Sequence, residues 1–160
     1  MARDETHPIL RNRCYGTDVE TVVRHGRAVA DGLFTGGVLP VMKHIPGHGL
    51  GTLDSHKDLP RVGAPRDVLD HTDFAAFRAL NDLPLGMTAH LVFEEIDPQP
   101  ATISEVMVKI IRDEIGSIWQ RCGEMTPAAQ TRAEAALAAH RAPDDVDIAA
   151  LEAEFDALTA

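Results

Sequence analysis

The chain has 160 residues, 44% apolar and 25% charged, enough for one domain with a packed core and too few for two large ones. Acidic residues outnumber basic ones by 25 to 15, a formal charge of -10, which argues against nucleic acid or an anionic membrane surface as a partner. No apolar run reaches transmembrane length and no signal peptide opens the chain; two cysteines, Cys14 and Cys122, give no disulfide framework and fit a reducing compartment, the cytoplasm.

In chain order, Thr17 and Glu20 stand in capping-box relation ahead of Val19, Val22, Val23, Val29, Ala30 and Leu33. That spacing predicts a helix over 18–34, stopped by Gly36-Gly37. The apolar run 38–42 reads as a strand buried on both faces, with Pro40 counting against full pairing. Residues 43–65, rich in Gly, Pro and polar groups, read as a long loop. A helix is expected over 66–80, a second buried strand within 85–93, and a helix beginning near Thr102, with Glu105 completing a capping box and Gly116 ending it. The segments 38–42 and 86–92 are expected to be adjacent parallel strands joined through the helix. Met42, Met87 and Met107 read as core. Residues 127–141 and 147–158 are helix-prone, so 1–116 is expected to be an α/β unit and 117–160 a helical C-terminal segment.

Five polar groups fall at or beyond the end of the first strand: Lys43, His44, His48, Asp54 and His56. In α/β folds such positions form the usual active-site face. Asp54-x-His56 offers a carboxylate that could fix the tautomer of an imidazole and raise its basicity. Taken alone, the same pattern is far more often two loop residues facing water. Lys43 and His44 could donate hydrogen bonds to a polar ligand. His44-x-x-x-His48 is not a helical zinc pair, because Pro46, Gly47 and Gly49 exclude a helix. Residues 47–51 lack the lysine and hydroxyl of a P-loop, and no cofactor or metal is expected. His90 reads as a core histidine or a pocket wall.

The run Lys43-His44-Ile45-Pro46-Gly47-His48-Gly49, then Asp54-Ser55-His56 and Leu59-Pro60, resembles the signature of family 3 glycoside hydrolases, most nearly the bacterial β-N-acetylglucosaminidase (β-N-acetylhexosaminidase) group. Arg13-Cys14-Tyr15-Gly16, Met87-Thr88-Ala89-His90 and Pro100-Ala101-Thr102-Ile103-Ser104 add to it. The resemblance implies a (β/α) TIM-type barrel and retaining removal of terminal β-linked N-acetylglucosamine from cell-wall (peptidoglycan) fragments. It implies His56 as the acid/base, paired with Asp54, and Arg13, Lys43 and His44 as sugar-binding residues.

The pattern is incomplete. The resemblance implies strands ahead of residue 8 and, after Ile115-Gly116, a strand ending in a Ser-Asp-Asp motif that carries the nucleophile. After Gly116 this sequence reads Ser117-Ile118-Trp119-Gln120-Arg121-Cys122-Gly123-Glu124-Met125. The expected architecture is therefore a partial barrel. Glu94, Glu95 and Asp97 are the candidate replacement carboxylates. A sugar-binding or interaction remnant without catalysis is the alternative reading. A third is a domain that self-associates into a homo-oligomer through exposed sheet edges.

Overall fold

A computed structural model of the chain describes residues 1–11 and 13–116, together with the single residues 131, 135 and 138. The short helix α1 (Pro8–Arg11) precedes the long helix α2 (Val19–Thr35). Asp18 caps α2: its Oδ1 accepts the Thr21 backbone N–H at 2.8 Å. The expected capping box on Thr17 is thus corrected by one residue. Asp and Thr both serve as N-caps, and the sequence alone does not rank two neighbours. Gly36 closes the helix, as expected.

Strand β1 (Val41–Ile45) lies three residues later than the expected 38–42. Pro40 has no N–H to give a ladder and stays just outside it. β2 (Arg61–Val62) lies inside the segment read as loop. The expected helix over 66–80 is two, α3 (Arg66–His71) and α4 (Asp73–Arg78), broken at Thr72. Thr72 leaves helical geometry at φ −123°, ψ −94°, and its hydroxyl donates to the Val68 carbonyl at 2.6 Å. The expected strand within 85–93 is likewise two, β3 (Leu85–Thr88) and β4 (Val92–Phe93). β5 (Asp97–Pro100), α5 (Glu105–Lys109) and a π-helical turn (Ile110–Glu114) complete the described elements. Ser104, not Thr102, caps α5: its Oγ accepts from Met107 N–H at 3.0 Å. Thr102 instead faces Thr88 and His90.

β1 and β3 pair in parallel, Val41 opposite Leu85, which is the adjacency expected of the two apolar runs. β2, β4 and β5 form a second sheet, β2 parallel and β5 antiparallel to β4. The chain passes between the sheets at 89–92. Ala89 N–H donates to Ile45 C=O in the first, and Val92 N–H donates to Pro60 C=O in the second. An apolar run buried on both faces reads the same whether it is one strand or two, which is why the division was not foreseen. The described residues form an α/β fold with mixed sheets, and these do not close into a barrel. The helical reading of 117–160 lies outside the described residues apart from the three single positions.

One core joins the two sheets. Ile45, Leu69, Phe74, Leu91, Phe93, Met107, Ile111 and Ile115 are fully buried within it. Phe74 and Phe93 meet edge to face with centroids 5.9 Å apart, and the Arg66 guanidinium lies over Phe74 at 5.6 Å. Met42 and Met107 are core as expected. Met87 is 38% exposed, a correction: it sits on a face of β3 that no described element covers. His90 is exposed, not core. Among the described residues no helix is long and apolar enough to cross a membrane.

Candidate active site

β1 delivers the first polar groups. A regular strand turns successive side chains to opposite faces. The β1–β3 register shifts between Lys43 and Ile45. At this irregularity Lys43 and His44 both line a cavity of about 440 Å³, while Ile45 is sealed in the core. Arg13, from the segment before α2, and His48, from the loop after β1, line the same cavity. Its apolar wall comes from α2 and α4, including Val22, Val29 and Phe77, and from Leu80 just beyond α4.

The loop after β1 carries the Asp54–His56 pair. Asp54 Oδ1 accepts from the His56 backbone N–H at 3.0 Å and lies 2.9 Å from His56 Nδ1. One carboxylate oxygen thus holds both backbone and ring of the residue two positions on, an Asx-type turn. With Nδ1 held, Nε2 is the atom left for proton transfer. The His56 side chain is 75% exposed and Asp54 only 12%, so the imidazole projects outward from an anchored acid.

Beneath the loop lies a group that sequence reading did not single out. Asp73, the first residue of α4, is 2% exposed and ion-paired with Arg3. A Cβ on Gly47 would sit 2.6 Å from Asp73 Cβ, so only glycine lets the loop rest on this acid. Asp73 Oδ1 and Arg3 Nη1 are buried without hydrogen-bond partners, and so is His48 Nδ1. No local signal marks Asp73, because an acid in the first turn of a helix is an ordinary surface pattern.

Burial pushes the His44 imidazole down to about 4, and the positive fields of His48, Arg13, Lys43 and His56 add to that. His48 is lowered as well, chiefly by burial. The His56 backbone N–H, then its side chain, holds Asp54 below the ordinary carboxylate range. Both half-buried rings are therefore neutral near neutral pH, beside an ionised carboxylate. In the unfolded chain an imidazole protonates near 6.5. Between about 6.5 and about 4 the unfolded state binds the extra proton at His44 and the folded state does not. The stability tied to a neutral His44 is fully present above about pH 6.5 and is lost as pH falls toward about 4. Denaturation midpoints across that window should drop less for His44→Gln than for the parent; equal slopes would remove His44 from the account.

The structure thus gathers Arg13, Lys43, His44 and His48 around one cavity and sets Asp54 and His56 on the adjoining loop. It does not bring Glu94, Glu95 or Asp97 to that cavity. Glu94 pairs with Arg61 at 3.2 Å, Asp97 Oδ1 accepts from Gln99 N–H at 2.7 Å, and Glu95 lines a separate cleft with Arg66.

Residues 1–147 match the family model for the glycosyl hydrolase family 3 N-terminal domain. The chain belongs to glycosyl hydrolase family 3. Within that family it is similar to bacterial β-hexosaminidases. It is 38% identical over 111 residues to the β-hexosaminidase of Alkalilimnicola ehrlichii, a match covering 68% of this chain and 32% of that one. The crystal structure of NagZ from Neisseria gonorrhoeae in complex with N-trifluoroacetyl-D-glucosamine superposes with a TM-score of 0.68 at 29% identity. That match covers 84% of this chain and 42% of that one. A family 3 β-N-acetylglucosaminidase from Paenibacillus sp. gives 0.69 at 30% identity, covering 87% and 28%. The chain spans about a third of the length of the curated relatives it matches.

Proposed function

We propose that this chain is the sugar-holding and proton-donating part of a β-N-acetylhexosaminidase, acting in the cytoplasm on terminal β-linked N-acetylglucosamine of cell-wall fragments. The observation that carries the reading is the Asp54–His56 pair, 2.9 Å apart, on the loop beside a cavity lined by Arg13, Lys43 and His44. In this reading Arg13, Lys43 and His44 bind the sugar, with His44 neutral and free to donate or accept a hydrogen bond. His56, in its protonated form, gives a proton from Nε2 to the departing glycosidic oxygen, and the Asp54 carboxylate steadies the imidazolium. In the second half-reaction His56 takes a proton from water.

Retention also needs a nucleophile at the anomeric carbon. The family motif expected after Gly116 is replaced by 117–125, and none of Glu94, Glu95 and Asp97 lines the cavity. That supports a second reading, sugar binding without turnover. The same proposal takes 1–116 as a partial barrel, 117–160 as a helical segment, and the outer edges of the β1–β3 ribbon as a place where copies associate.

Calorimetric titration with N-acetylglucosamine tests the shared part of both readings. Saturable binding is expected for the parent, and Lys43→Ala should weaken it by roughly tenfold or more, the scale of a hydrogen bond to a charged group. Absence of binding by the parent would remove both readings together.

A further inference from the structure

Residues 52–59 are held mainly by themselves. Besides the bonds between Asp54 and His56, the Asp54 carbonyl accepts from the backbone N–H groups of Lys57 and Asp58, both at 3.0 Å. The segment is a small self-bonded unit, exposed except at Asp54 and Ser55. Among the described residues a single hydrogen bond joins it to the rest of the chain: His48 Nε2 to Ser55 Oγ, 3.1 Å.

The other end of that bond is firmly seated. The Thr6 hydroxyl donates to the Gly49 carbonyl at 2.5 Å, His7 N–H donates to Gly51 C=O at 3.2 Å, and Gly51 N–H donates to His48 C=O at 3.0 Å. A Cβ on Gly51 would lie 2.9 Å from His48 Nδ1 and 3.1 Å from Cε1, so the missing side chain is what lets the ring lie there. His48 Nδ1 is buried with no partner. A buried acceptor left unused is commoner than an orphaned donor, which places the proton on Nε2, donating to Ser55 Oγ. The ring also meets His44 edge to face, with centroids 5.7 Å apart. His48 therefore touches both the cavity wall and the loop bearing the dyad.

We infer that His48 is a positioning residue: acting through Ser55, it sets where the Asp54–His56 unit stands relative to the cavity. The inference rests on the proposed role of that dyad, but its test reads the loop directly and does not depend on turnover.

The chain has three lysines, Lys43, Lys57 and Lys109, and Lys57 lies inside the tethered unit. Digestion of the folded full-length chain by a lysine-specific protease reports how often the loop leaves its place. His48→Ala and Ser55→Ala are each expected to raise initial cleavage at Lys57 by roughly 2- to 10-fold, the worth of one hydrogen bond. Cleavage at Lys43 and Lys109 should stay at the parental rate. The double variant should be no faster than either single one, because both remove the same bond. Ser55→Thr keeps the hydroxyl and should return toward the parent. Parental cleavage in both alanine variants, additive effects, or a uniform rise at all three lysines would overturn the inference. If His48→Ala lowers the unfolding midpoint, Ser55→Ala, which loses only a half-buried hydroxyl, decides the question alone. Where sugar hydrolysis is measurable, Ser55→Ala should lower kcat with KM little changed. Unchanged hydrolysis in Ser55→Ala alongside raised cleavage at Lys57 would count against the dyad's role and leave the tether standing.

Discussion

Replacing His56 with alanine is expected to lower kcat/KM on an alkyl β-N-acetylglucosaminide by about 10²–10⁴-fold, the usual contribution of a positioned general acid. An alkoxide leaves poorly without a proton, so the full effect appears there. A 4-nitrophenyl glycoside, whose leaving group is stable as an anion, should show a much smaller loss. Asp54→Asn should act in the same direction, because the amide cannot stabilise the imidazolium, although it can keep the hydrogen bond that Asp54 Oδ1 now makes with the His56 backbone N–H. The parental chain itself is expected to turn over well below the roughly 1–10³ per second of ordinary enzymes, since 117–125 lack the nucleophile motif. The comparison of leaving groups is informative even at low rates. An equal loss on both substrates would show that His56 does something other than protonate the leaving oxygen.

Arg3→Met should destabilise the fold by about 3 kcal/mol, the lower end of the range for breaking a buried ion pair. Asp73 is 2% exposed and Arg3 18%, so the acid is left in the interior with only the more distant Met1 ammonium, 3.8 Å away, and the Thr72 hydroxyl at 3.2 Å. Arg3→Met/Asp73→Leu should recover much of the loss, because it removes the stranded charge as well. Urea midpoints for the parent, the two single variants and the double variant measure this. A change under about 1 kcal/mol in Arg3→Met would place the pair among ordinary surface contacts. Because Gly47 rests on Asp73, the loss should also reach the loop that carries His48.

What could be read beforehand was mostly what is local. The Asp54–His56 bond spans two residues in a turn, and the pattern of a short acid and a histidine contains it. Helix α2 was legible from its apolar spacing and its closing glycines, with only the cap displaced by one position. The parallel adjacency of β1 and β3 followed from two apolar runs separated by enough chain for a crossover. What escaped depends on distant partners. Asp73 is tied to Arg3 across 70 residues, and nothing near it distinguishes it from the exposed acids of other first turns. The break at Thr72 was invisible because Val68, Leu69, Phe74, Phe77 and Leu80 fit one helix or two. Thr102 and Ser104 are both good caps by sequence, and only the fold shows that Thr102 is engaged by Thr88 and that Ser104 caps α5. The tether from His48 to Ser55 needs the fold of the loop itself, which Gly51 makes possible but does not announce.

The parallel register of β1 has a consequence for the order in which the site assembles. Val41 is opposite Leu85, so Lys43 and His44 are fixed only after a loop of about 44 residues has closed, at an entropic cost of about 3 kcal/mol. The Asp54–His56 turn needs no such closure and can form within nanoseconds to microseconds of its own synthesis. A nascent chain that has emerged only as far as Asp82 already displays the whole histidine-rich signature. It still lacks the strand that would gather those residues around a cavity.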